Sequence, residues 1–151
     1  MFRDAAGDAI HRRTGLHVVQ EMTVNDAIGY GRGEMRGKRP RNSGGGRIDL
    51  VALDSRPQPT VLIELKRSGS AIHADARRLR KLVKRGSARF GLIAIHALLP
   101  KKTKRSATEV IKELAQTAGL KILHHAAYSS RWNIASPREA SRLIVVGVFR
   151  V

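Results

Sequence analysis

An α/β (α+β) domain with a mixed central sheet flanked by helices is the expected fold. Three observations predict it. Apolar residues switch repeatedly between helical spacing and strand-like runs. Two apolar runs near the middle flank a turn-rich hexapeptide, as in a hairpin. Helical stretches then interleave with further strands, which is the pattern of a sheet with helices on its faces.

Phe2, Ala5, Ala6, Ala9 and Ile10 recur at helical spacing and Gly15 stops them, so the first helix is expected over Phe2 to Thr14. Leu16 to Val24, with Val18, Val19, Thr23 and Val24, reads as a strand rich in β-branched residues. From Asn25 to Gly46 periodicity is lost. Gly29, Gly31, Gly33, Gly37 and Gly44-Gly45-Gly46 alternate with basic residues, and a flexible basic loop is expected at about 25–47. Ile48 to Leu53 and Thr60 to Lys66 are the two strands of the hairpin, joined by Asp54-Ser55-Arg56-Pro57-Gln58-Pro59. Ile72, Ala76, Leu79, Leu82 and Val83 mark a helix with a basic opposite face, ended by Gly86. Phe90 to Leu98 is an apolar strand. Ser106 and Glu109 form a capping box ahead of Val110, Ile111 and Leu114, and Gly119 stops that helix. A short strand over Leu120 to Leu123, a short helix starting at Ser136-Pro137 and a last strand over Leu143 to Val151 complete the order α-β-β-β-α-β-α-β-(α)-β. With no repeat and no boundary in composition, the 151 residues are expected to form a single domain over 1–151.

Charge narrows the function. Lys and Arg number 29 against 12 Asp and Glu, a net charge of +17 that repels itself unless a polyanion is near. No polybasic segment adjoins a hydrophobic anchor, so nucleic acid is favoured over an anionic membrane. Cysteine is absent, which excludes disulfides and thiolate zinc sites. Met1 to Thr14 has no apolar core of a signal peptide, and no apolar run approaches the roughly 18 residues of a membrane span. A cytoplasmic protein is the expectation.

Chemistry concentrates in the hairpin. Side chains alternate along a strand, so Glu64 and Lys66 share a face, while Val61, Ile63 and Leu65 turn toward the expected core. A register symmetric about Arg56-Pro57 sets Asp49 opposite Glu64, with Cβ atoms roughly 4.5–5.5 Å apart. Two carboxylates that close repel, and a hard divalent cation with oxygen ligands removes the cost. Asp49, Glu64 and the backbone carbonyl of Leu65 would supply one face of an octahedral site. Lys66 would steady the attacking water or the charge developing at phosphorus. Glu-x-Lys alone is common as a solvated strand face with an exposed ion pair. The weight here comes from two acids interrupting apolar strands in a strongly basic chain.

Arg47-Ile48-Asp49-Leu50-Val51-Ala52-Leu53 followed by Val61-Leu62-Ile63-Glu64-Leu65-Lys66 resembles the PD-(D/E)XK nuclease superfamily. The resemblance spans Phe2 to Leu98 and implies a restriction-endonuclease-like core of α-β-β-β-α-β order. It implies metal ligation by Asp49 and Glu64, and catalysis assisted by Lys66. Ile48 stands where the motif has proline, as in many members. Members often add an acid from the first helix; Asp4 and Asp8 are candidates, with Glu21 on the first strand as a third. Loop composition and size are closest to Holliday-junction resolvases and related small endonucleases.

The expectation is therefore a Mg²⁺-dependent endonuclease that hydrolyses DNA, including branched or junction DNA, through metal-activated water. Mn²⁺ is not separated from Mg²⁺ by ligand type. DNA is favoured over RNA, and cutting both strands favours a homodimer. Arg32, Arg36, Lys38, Arg39, Arg41 and Arg47 on the loop, and Arg77, Arg78 and Lys81 on the helix, are expected to contact phosphate, as is the Lys101–Arg105 cluster. Trp132 and Tyr128 are candidates for base stacking, although a lone Trp is more often core. His96 and His124-His125 lack a third spaced ligand and read as structural. Gly44-Gly45-Gly46 lacks the Gly-Lys-Ser/Thr of a phosphate loop. The alternative is a non-catalytic basic nucleic-acid-binding protein, which has no reason to collect acids beside its polyanion.

Overall fold

A computed structural model describes residues 2–31, 46–67, 72–100, 106–129 and 142–151. The elements are α1 (Phe2–Thr14), β1 (His17–Thr23), α2 (Val24–Gly31), β2 (Arg47–Leu53), β3 (Pro59–Lys66), α3 (Ile72–Lys84), β4 (Phe90–Pro100), α4 (Ala107–Ala118), β5 (Lys121–Ser129) and β6 (Arg142–Arg150). The fold is α+β: a six-stranded mixed sheet of order β1-β2-β3-β4-β6-β5 with flanking helices. Two compact units divide the chain, Met1–Glu64 with Arg77–Leu92 and Leu65–Ala76 with Ile93–Val151.

In the first unit β1, β2 and β3 form an antiparallel meander. Gln20 pairs with Leu50 and Met22 with Ile48; Leu50 pairs with Ile63, Val51 with Leu62 and Ala52 with Val61. The β2–β3 turn is built by Asp54. Its carboxylate accepts hydrogen bonds from the backbone N–H of Arg56 (2.9 Å) and Gln58 (3.0 Å). The Gln58 bond is the main reason the Asp54 carboxyl is held below the usual aspartate range. The register shifts between Ala52 and Leu53, on the turn side, so the pairing farther from the turn is unaffected. Ile48, Leu50, Val51, Ala52, Leu62 and Leu79 are fully buried and form the core of this unit.

The expected flexible loop begins later than its glycines suggest, because Val24–Gly31 is helical. Thr23 caps the helix: its hydroxyl accepts from the Asp26 N–H (3.1 Å) and donates to the Asp26 carboxylate (2.6 Å). Val24, Ala27 and Ile28, at helical spacing, are buried. The remainder of the expected loop, 32–45, lies outside the described residues, as do Lys101–Arg105, Trp132 and the Ser136-Pro137 helix start.

A second correction concerns β3. Val61 and Leu65 are half-buried, whereas Leu62 and Glu64 on the other face are fully buried. Ile63 is buried as well, so both faces of this strand are covered, as befits a strand inside a sheet. The face bearing Glu64 is not a solvated one.

In the second unit the capping box of α4 forms as expected. Ser106 Oγ accepts from the Glu109 N–H (3.2 Å), and the Glu109 carboxylate accepts from the Ser106 N–H (2.6 Å). β5 runs well past Leu123, to Ser129, because it pairs antiparallel with β6 from Lys121↔Arg150 to Ser129↔Leu143. Its irregularity lies between Ile122 and His124. Gly147 on β6 is a close-packing position: a Cβ there would lie 2.5 Å from Ile111 Cδ1 and 2.9 Å from the Phe149 ring. Among the described residues no helix is long and apolar enough to cross a membrane.

Candidate metal centre and acid row

Register alone builds a row of acids in the first unit. Leu50 faces Ile63, so the same register carried one residue outward sets Asp49 against Glu64. On the other side of β2, the pairs Gln20–Leu50 and Met22–Ile48 bracket Glu21 and Asp49. Glu21, Asp49 and Glu64 thus occupy successive positions across β1, β2 and β3. Glu21 has φ 52°, in the left-handed region that a glutamate seldom adopts, although the register is the same on both sides of it. Conformations of this kind cluster at functional sites.

Each acid in the row meets an arginine. Arg3, from α1, bridges two of them: Nη1 donates to Glu21, and Nη2 lies 3.2 Å from Asp49 Oδ1. Arg47 Nη1 donates to Glu21 Oε2 at 3.1 Å. Arg78, from α3, donates through Nη2 to Glu64 Oε1. The hydrogen bond from Arg3, with its charge and that of Arg47, holds the Glu21 carboxyl below the usual glutamate range. The same bond pushes the Arg3 guanidinium up, against the opposing effect of burial. Glu64 is only 2% exposed, and a carboxylate so buried needs a partner. Gly46 leaves room for that partner, since a Cβ on Gly46 would fall 2.5 Å from Arg78 Nη1.

Lys66 follows Glu64 by two residues on β3. In the second unit its Nζ lies 2.5 Å from Asp75 Oδ2. Asp75 is buried in the first turn of α3, where a negative charge also suits the helix dipole.

The register carried outward from the Leu50–Ile63 pair sets Asp49 against Glu64, with Glu21 next in the row on β1. Asp4 and Asp8 are exposed on α1, and Glu21 is engaged by Arg3 and Arg47. Among the described residues no three His, Cys, Asp or Glu side chains lie close enough to hold a metal ion together. Carboxylates are hard oxygen donors of the kind Mg²⁺ accepts, and Mg²⁺ keeps several waters, so it does not need a cage of protein ligands. Asp49 and Glu64 are each paired with a cation, Arg3 and Arg78 respectively.

Of the expected phosphate contacts, Arg47, Arg77 and Lys81 are exposed. Arg78 is turned to Glu64 instead. Arg32, Arg36, Lys38, Arg39 and Arg41 lie outside the described residues. His124 and His125 are exposed on β5, and Nε2 of His125 lies 3.5 Å from the Thr108 hydroxyl.

Sequence reasoning missed Arg3 and Asp75, and it assigned Arg78 to phosphate without its pairing to Glu64. Asp75 carried a readable signal: it falls three residues after Ile72, on the apolar stripe of α3, where an acid demands a partner. Comparison with protein-family models, with curated proteins and with solved structures finds no significant match.

Proposed function

We propose that this chain is a divalent-metal-dependent endonuclease acting on DNA, with the restriction-endonuclease-like core order. The observation that carries the reading is the antiparallel register of β2 and β3, with Leu50 against Ile63, which supports a pairing of Asp49 with Glu64 one residue farther out. Element order supports it: α1, β1, β2, β3, α3 and β4 run in the α-β-β-β-α-β sequence of the PD-(D/E)XK superfamily, with α2 inserted after β1. The net charge of +17 suits a polyanionic substrate.

Asp49 and Glu64 would hold Mg²⁺ or Mn²⁺, with the Leu65 carbonyl following Glu64 in sequence as the third oxygen. When bound, the ion polarises the scissile phosphate and lowers the pKa of a water. In hydrolysis that water's oxygen bonds to phosphorus, the bond to the leaving sugar oxygen breaks, and that oxygen takes up a proton. Lys66 supplies positive charge as charge develops at phosphorus. Arg47, Arg77 and Lys81 bind flanking phosphates without regard to sequence.

One observation favours a second reading, a basic DNA-binding module without catalysis. The Lys66 charge is matched by buried Asp75, as in a purely structural ion pair. Incubation with duplex, single-stranded and four-way-junction DNA in Mg²⁺, Mn²⁺ or EDTA separates the two. The nuclease reading expects cutting in Mg²⁺ or Mn²⁺ and none in EDTA, with the best substrate naming the subclass. Tight binding of all three DNAs with no cutting in any metal would leave the binding module standing.

A further inference from the structure

The nuclease reading assigns no role to Arg3 and only an expected phosphate contact to Arg78, yet these two arginines balance charge in the acid row. Glu21 meets Arg3 and Arg47, Asp49 meets Arg3, and Glu64 meets Arg78. A divalent ion bound by Asp49 and Glu64 takes the negative charge that Arg3 and Arg78 now share. Both guanidinium groups are then left with surplus positive charge. Both also reach solvent, with 36% of the Arg3 side chain and 30% of the Arg78 side chain exposed. Guanidinium is the side-chain group best shaped to take two phosphate oxygens at once.

We propose that Arg3 and Arg78 are metal-released phosphate ligands: they hold the acids while no ion is bound, and turn to the DNA backbone when Mg²⁺ takes Asp49 and Glu64. The inference rests on the metal centre proposed above and adds the residues that grip the phosphate beside it. Its thermodynamic consequence is reciprocal coupling. Mg²⁺ tightens DNA binding, and DNA tightens Mg²⁺ binding by the same factor. This runs against the ordinary effect of added cations, which compete for phosphate and weaken binding by a basic protein.

The test is stopped-flow fluorescence anisotropy of a labelled duplex with the full chain, in Mg²⁺ or in EDTA at matched ionic strength. DNA recovered from each mixture is run on a denaturing gel so that only uncut duplex is scored. The wild type is expected to bind roughly tenfold more tightly in Mg²⁺, within the usual range of coupling between sites. Arg3→Gln, a change at a part-exposed position, is expected to lose most of the Mg²⁺ increment, read within each protein as the ratio of its affinities in Mg²⁺ and in EDTA, with Arg3→Lys recovering part of it. An increment undiminished in Arg3→Gln overturns the proposal. So does an equal loss of affinity with and without Mg²⁺, or the absence of any increment in the wild type. Cutting without an increment removes this inference and leaves the nuclease. An increment without cutting removes the nuclease and keeps the metal-coupled phosphate site.

Discussion

Replacing Lys66 with Ala is expected to lower the rate of metal-dependent DNA cleavage by about 10²–10³-fold, the usual cost of losing a group that stabilises charge only in the transition state. DNA affinity and Mg²⁺ affinity should change little, because Lys66 is one charge among many for DNA and is no ligand to the ion. Asp49→Ala should lose activity by a different route, through failure to bind metal, so raising Mg²⁺ should not rescue Lys66→Ala at all. Single-turnover cleavage across a Mg²⁺ series distinguishes the two. An equal loss of DNA binding and rate in Lys66→Ala would mean that the lysine serves the fold through Asp75. Circular dichroism and urea unfolding of the same sample check that directly.

The largest effect on stability is expected at Arg78. Glu64 is 2% exposed, so removing the guanidinium that donates to it leaves a buried carboxylate without that charge partner. Breaking a buried ion pair from one side costs about 3 kcal/mol or more, since the remaining charge keeps its desolvation penalty. Arg78→Met keeps the apolar stem, which limits the loss of packing and isolates the charge. Urea unfolding should show the deficit in EDTA. Mg²⁺ should stabilise Arg78→Met more than it stabilises the wild type, because the ion supplies the charge the arginine supplied. Equal stabilisation of both proteins would show that the ion does not act on Glu64.

Much of the fold was readable because its signals are local. The β2–β3 hairpin follows from two apolar runs and a turn hexapeptide, and α4 follows from Ser106 and Glu109. Counting outward from the turn gives the register of Leu50 with Ile63 and Val51 with Leu62, because the register shift falls between Ala52 and Leu53, closer to the turn. α2 was hidden by its glycines, although Thr23, Asp26 and the spacing of Val24, Ala27 and Ile28 were present. β5 was cut short because His124-His125-Ala126-Ala127 has little strand propensity. Pairing with β6 overrides that preference, and such pairing is tertiary. The buried face of β3 was misjudged for a similar reason: alternation identifies two faces, but a covered central strand has no solvated one. The pairing of Arg3 with Asp49 and of Arg78 with Glu64 could not be read from spacing, because both arginines reach the acids from helices whose docking no local pattern encodes.

The central claim is that Asp49 and Glu64 act on one ion. Calorimetric titration of Mn²⁺ into the wild type, Asp49→Asn and Glu64→Gln, without DNA, tests it most directly. One Mn²⁺ bound by the wild type and lost in both variants is the predicted result. Wild-type Mn²⁺ binding that persists in either variant, or no binding in the wild type, would contradict it.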